Sequence, residues 1–133
     1  MTNGTIAFDT LSTSGQISGT AVSVDADYLA YGSAKVWVNF NGQNTIAARD
    51  SFNLASLTDN GTGDYTITFS NNMGNANYII HTTGEQLASN DSVAINKDYS
   101  TAYITSAARV VATQGSTRAN PVYTNFSNHG DLA

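Results

Sequence analysis

No cysteine occurs among the 133 residues, which excludes disulfides and thiolate metal sites but leaves the compartment open. Glutamate occurs once, at Glu85, and lysine only at Lys35 and Lys97. Exposed helices draw heavily on both residues, so their scarcity argues against any long surface helix. Five basic residues are scattered against ten acidic ones, for a formal charge of −5. Neutralising phosphates requires clustered Lys and Arg, so nucleic-acid binding is not expected. The opening MTNGTIAFDT has neither a basic n-region nor an apolar h-region. No later apolar run reaches the length of a membrane span, so membrane insertion is not expected either. A chain of this kind that meets a cell exterior would need release by lysis, which a virion provides.

What is abundant is small and polar. Serine, threonine and asparagine number 14, 17 and 15. Asparagine suits turns, and threonine suits strands better than helices. Turn signals recur at about every eight to twelve residues, a spacing that favours a sandwich or barrel over βαβ units. The expectation is one all-β domain over residues 1–133, an antiparallel β-sandwich or a jelly-roll-like fold.

The densest stretch runs from Ala34 to Phe69 and holds the single tryptophan. Period-two alternation puts Val36, Val38 and Phe40 on one strand face and Lys35, Trp37 and Asn39 on the other. Asn41-Gly42 reads as a tight hairpin turn, and a second strand follows from Thr45 to about Leu54. Gly61 and Gly63 in DNGTGD supply the next turn, and Tyr65, Ile67 and Phe69 return along one face. The stretch reads as an antiparallel meander, with Trp37, Val38, Phe40, Tyr65, Ile67 and Phe69 as its structural core. Apolar groups on both faces of the first strand mean either burial on both sides or a subunit contact, and burial is the expectation for Trp37.

Around this stretch the periodicity is weaker. Ile6 and Phe8 suggest a short strand, and Gln16 to Val24 a second, with Gly19 as a bulge. Asp25 to Ser33 reads as a polar connector and Gly84 to Asp91 as a mobile loop or single helical turn. Further strands are expected at Tyr78–Thr83, around Val93 and Ile95, at Tyr99–Thr105, and at Ala108–Ala112. Gln114 to Asn120 reads as loop, and Pro121 as the first residue of a last strand carrying Val122, Thr124 and Phe126 on one face.

The strings WVNFNG, RDSFN and LTDNGTGDYTITF, NANY at Asn75–Tyr78 and the closing NHGDLA resemble a module at the C-terminal ends of phage tail-fibre proteins, especially those of marine phages. The similarity is close from about Lys35 to Tyr78. Met73-Gly74 stands where that module often has a proline. The resemblance implies a virion protein with three-fold symmetry.

No catalytic or cofactor set stands out in the sequence. Asp59 and Asp64 superficially suggest a calcium loop, but the alternating oxygen ligands and closing Glu of an EF-hand are missing. His81 and His129 are the only histidines, and the HxH repeats of metal-bearing phage fibres are absent. Asp50 beside Arg49, and Asp25 near Asp27, are sequence neighbours that cannot show a glycosidase pair across a cleft. GxSxG is absent, and the sequons at Asn3, Asn60, Asn90 and Asn125 follow from composition.

The expected function is therefore non-enzymatic: a structural protein of a tailed-phage virion, assembled in the host cytoplasm, with no cofactor or metal. As a tail-fibre or tail-tip module, the leading reading because the resemblance is to fibre ends, it would contact a host surface glycan or protein. As a capsid decoration protein it would clamp shell subunits, a reading favoured by the missing shaft. A polysaccharide depolymerase is the third reading, disfavoured because such enzymes need a long shaft-like body. Expected partners are other virion proteins and further copies of itself. A homotrimer would bury the second apolar faces and the strand edges that so few Lys and Pro protect.

Overall fold

The computed structural model describes residues 16–18, 21, 23–85 and 93–133. In chain order its elements are β1 (Gln16–Ser18), β2 (Ser23–Asp25), α1 (Ala26–Gly32), β3 (Val36–Asn41), β4 (Ala47–Phe52), β5 (Leu54–Gly61) and β6 (Asp64–Phe69). These are followed by β7 (Ile79–Gly84), β8 (Val93–Lys97), β9 (Ala107–Gln114), β10 (Thr117–Arg118) and β11 (Thr124–His129). One antiparallel sheet has the order β4-β3-β11-β7. The other runs β10-β9-β6-β5, with β8 also paired to β9. Packed together they form the expected all-β sandwich.

Alternation builds the core from both inner faces. Val36, Val38 and Phe40 of β3 and Thr124, Phe126 and Asn128 of β11 face Tyr65, Ile67 and Phe69 of β6 and Ala108, Val110 and Ala112 of β9, and all are buried. Phe40 meets Tyr65 edge-on at 5.1 Å between ring centroids, and Phe69 meets Phe126 at 6.4 Å, each pair joining the two sheets. The expected inward positions of Val38, Phe40, Tyr65, Ile67 and Phe69 are thus the ones found. Trp37 is not. It lies on the outer face of β3, 36% exposed, because the register that buries its neighbours turns it outward. A strand in a two-layer sandwich has only one face toward the core.

The central stretch is not one meander. The strand expected from Thr45 to Leu54 breaks at Asn53, whose φ is +56°. Asparagine tolerates this left-handed conformation. Its side-chain amide donates to the carbonyls of Lys35 and Asn71, each at 3.0 Å, and its Oδ1 accepts from the Asn71 N–H at 2.6 Å. The chain turns this corner from one sheet into the other, so β3–β4 and β5–β6 are hairpins in different layers. Gly61 and Gly63 have positive φ, +126° and +62°, as the turn reading requires. The β3–β4 connection is not a two-residue Asn41-Gly42 turn. It occupies residues 42–46, with the positive φ at Asn44. Gly42 is there for proximity: a Cβ on it would lie 2.5 Å from the Tyr65 hydroxyl and 2.8 Å from the Pro121 carbonyl oxygen.

Other expectations shift for local reasons. Gln16–Val24 is a hairpin, β1 with β2, instead of one strand, and Gly19 lies outside the described residues. So do the strand at Ile6 and Phe8 and residues 86–91 of the proposed loop. The supposed connector after Asp25 is α1, where Ala26, Leu29 and Ala30 favour helix, yet none of its residues is buried. Tyr99–Thr105 is not a strand. The Asp98 carboxylate accepts from the Ser100 N–H at 3.0 Å, the Ser100 hydroxyl at 2.8 Å and the Thr101 hydroxyl at 3.0 Å, which bends the backbone away from a ladder. The loop expected at Gln114–Asn120 contains β10, and the final strand begins at Thr124, three residues beyond the buried Pro121. Met73 and Gly74 use the N–H groups that a proline would lack: they donate to the carbonyls of Thr105 and Asp131 at 2.9 and 2.8 Å.

Candidate functional site

The outer face of the β4-β3-β11-β7 sheet carries the most organised exposed chemistry among the described residues. Strand register aligns its side chains into rows. Phe52, Trp37, Ser127 and His81 form one row, and Asp50, Asn39, Asn125 and Thr83 form the next. From Asn39 to Thr83 the second row is hydrogen-bonded side chain to side chain. The Asn39 amide donates to Asn125 Oδ1 at 2.6 Å, and the Asn125 amide donates to the Thr83 hydroxyl oxygen at 3.0 Å. A bulge after Asn39 lets Arg49 project outward. Its guanidinium donates to Asn39 Oδ1 at 3.4 Å and lies 4.1 Å above the Tyr123 ring. Trp37, Asn39, Asn125, Ser127, His81 and Thr83 line a shallow groove of about 240 Å³ between the rows.

At the end of this face His81 and His129 stand perpendicular, with 5.4 Å between ring centroids. The two histidines, far apart in sequence, are therefore neighbours on adjacent strands. Among the described residues no group of three or more His, Asp or Glu comes together to hold a metal. The DNGTGD segment works as a turn. Asp59 Oδ1 accepts from the Gly61 N–H at 2.8 Å, and Asp64 is committed to arginines.

That second cluster lies on the other sheet. Arg109 grips Asp64 with two parallel hydrogen bonds of 2.7 and 2.8 Å, and Arg118 adds a third at 2.6 Å. Arg109 also lies 3.3 Å from Asp98. The arginine bonds hold the Asp64 carboxyl below its usual range against the cost of burial. The bonds from Ser100, then Thr101, with Arg109 nearby, bring Asp98 down to about 2. Both carboxylates are thus kept ionised, and neither is poised to donate a proton at neutral pH. Their work is to fasten the 98–106 loop over β6 and β9, where the Tyr78 hydroxyl also sits 3.1 and 3.0 Å from the carbonyls of Ile104 and Ala107. Burial pushes the phenols of Tyr65 and Tyr78 up to about 12, so both remain neutral.

Asp50 ends the polar row, with Arg49 beside it, whereas Asp25 and Asp27 at the start of α1 line an open cavity of about 530 Å³ with Tyr28, Tyr31 and Gly32. Among the described residues no helix is long and apolar enough to cross a membrane. No family model matches the chain, and neither a curated protein nor a solved structure matches it. The paired rows were only half visible in the sequence. Alternation opposes Trp37 and Asn39 to Val36, Val38 and Phe40, but bringing β11 and β7 alongside depends on register. The Asp64–Arg109–Asp98–Arg118 cluster had no sequence signal beyond scattered charges.

Proposed function

We propose that the chain is a structural module of a tailed-phage virion, mounted at a tail fibre or tail tip, whose open sheet face contacts the host surface. The sequence resemblance to fibre ends supports the virion setting. The observation that carries the contact role is the face itself, with Trp37 held outward beside a hydrogen-bonded Asn39–Asn125–Thr83 row. Large exposed aromatics beside small amide and hydroxyl groups suit recognition, because they offer contact area at low entropic cost. The 36% exposure of Trp37 and 52% of Phe52 supply that area. In this reading the module acts by binding, without a cofactor or metal.

The proposed assembly is a homotrimer, and the surface that favours association is α1. It exposes Tyr28, Leu29 and Tyr31, with Val24 beside them, and buries nothing of its own. A hairpin and a two-turn helix alone are marginal in water, so covering them with further copies or another virion protein would be stabilising. Light scattering of the purified protein tests this. A mass near three times the 14.0 kDa chain supports the trimer, and a single-chain mass at micromolar concentration removes it as an independent unit.

Labelling the protein on intact particles for electron microscopy tests the mounting. Label at fibre ends or the tail tip supports the proposal. Label spread over the capsid would overturn it in favour of a decoration protein.

A further inference from the structure

We infer that the groove at Trp37 binds a neutral glycan, an inference that rests on the host-contact reading and names its ligand. A pyranose ring has an apolar C–H side and a rim of hydroxyls, so its receptor needs a flat aromatic next to polar groups that both donate and accept. The two rows place these side by side. Trp37 supplies the aromatic surface, and Asn39, Asn125 and Thr83 supply the polar rim. Because the Asn39 amide is committed to Asn125 and the Asn125 amide to Thr83, their orientations are fixed before a ligand arrives. Each asparagine keeps a second amide hydrogen, and Thr83, accepting from Asn125, keeps its own hydroxyl hydrogen to donate. Preorganisation of this kind reduces the ordering cost of binding.

Charge selects among glycans. Among the described residues the lysine or arginine beside the groove is Arg49, already engaged with Asn39 and the Tyr123 ring, and Asp50 stands in the same row as Asn39. The whole chain carries −5. A uronate- or phosphate-bearing polymer would therefore meet no uncommitted lysine or arginine here and an unfavourable field. The groove, about 240 Å³ and open along the sheet, matches a short saccharide segment better than a helix or a folded partner.

Because Trp37 is the only tryptophan, its fluorescence reports this site directly. The experiment titrates the full chain with oligosaccharides of β-linked glucose, galactose and N-acetylglucosamine, and with a uronate polymer as the acidic comparison. At least one neutral oligosaccharide is expected to shift Trp37 emission saturably, with the acidic polymer weaker. Trp37→Ala and Asn125→Ala, followed by calorimetric titration, should lower affinity about tenfold or more. Trp37→Phe should recover part of it. Unchanged melting curves for these surface variants would separate lost contact from lost fold. Failure of every neutral oligosaccharide to perturb Trp37 at millimolar concentration overturns the inference, as does tighter binding of the acidic polymer. Host-cell binding by the purified chain separates this failure from that of the host-contact reading. Cell binding untouched by Trp37→Ala sinks the glycan groove alone, whereas a wild-type chain that binds no cells sinks the contact role.

Discussion

Removing one oxygen atom from the core should be measurable. Tyr65 is fully buried, with its hydroxyl 3.0 Å from the Gly42 carbonyl oxygen and 2.9 Å from Asn120 Oδ1. Asn120 Oδ1 also accepts from the Gly63 N–H at 2.5 Å, so it keeps a donor when the hydroxyl is gone. The Gly42 carbonyl has no such second donor among the described hydrogen bonds. Tyr65→Phe keeps the ring, including its edge contact with Phe40, and leaves that carbonyl orphaned. A buried acceptor stripped of its partner costs about 1–3 kcal/mol, and one orphan with little cavity places the expected loss at about 1–2 kcal/mol. For a chain of this size that lowers the melting temperature by roughly 3–8 °C. Chemical denaturation should show a lower midpoint with an unchanged m-value, the signature of altered stability and not of an altered unfolded state. A double-mutant cycle with Asn120→Ala isolates the shared proton and should give a coupling of at least about 0.5 kcal/mol. Stability within about 0.5 kcal/mol of the parent would refute the reasoning, since it would mean that the hydroxyl satisfies nothing.

Truncating Phe40 or Phe69 to Ala, each buried between the sheets, should cost about 3–5 kcal/mol in the same denaturation assay, and an unchanged melting temperature would move that residue out of the core. Acid should weaken the fold in a defined window. Asp64 and Asp98 have folded-state values below their unfolded ones, so their contribution is complete above about pH 4 and is lost at lower pH, that of Asp98 as the pH falls toward about 2. A melting temperature flat across that range would contradict the arginine cluster's role. Gly63→Ala should be more damaging than Gly115→Ala, although both glycines have φ near +60°. The added Cβ at 63 would lie 2.5 Å from the Ala112 carbonyl oxygen, whereas nothing approaches within 4 Å at 115. Backbone strain alone costs about 1–2 kcal/mol, so equal losses in thermal melts would show that the crowding is relieved.

The layers were legible where burial is one-sided and local. Alternation in β3, β6, β9 and β11 placed Phe40, Ile67, Val110 and Phe126 correctly because each strand has one wet face. It misled at Trp37, since a strongly apolar residue was weighed above the phase of its own strand. It was silent at Asn53, because a single residue with positive φ moves the chain between sheets without altering the polar–apolar pattern. At Tyr99–Thr105 the apparent alternation lost to the Asp98 carboxylate, which offers the backbone a turn at short range. The candidate face shared this limit. Each row is legible one strand at a time, but its composition emerges only when strands distant in sequence are aligned.

The position of β11 has a kinetic consequence. It is a central strand, between β3 and β7, and its partner Asn39 stands 86 positions before Asn125. During synthesis β3 emerges well before β11, with one edge paired by β4 and the other bare, and it stays so until residue 129 has left the ribosome. Pairings of such long range close slowly, because the loop entropy is lost before the contact rewards it. The growing chain therefore carries an unpaired, Val- and Phe-bearing edge until β11 has been made. A nascent chain that met its neighbours in that interval could pair with them edge to edge, so the yield of folded protein should fall as expression rate rises.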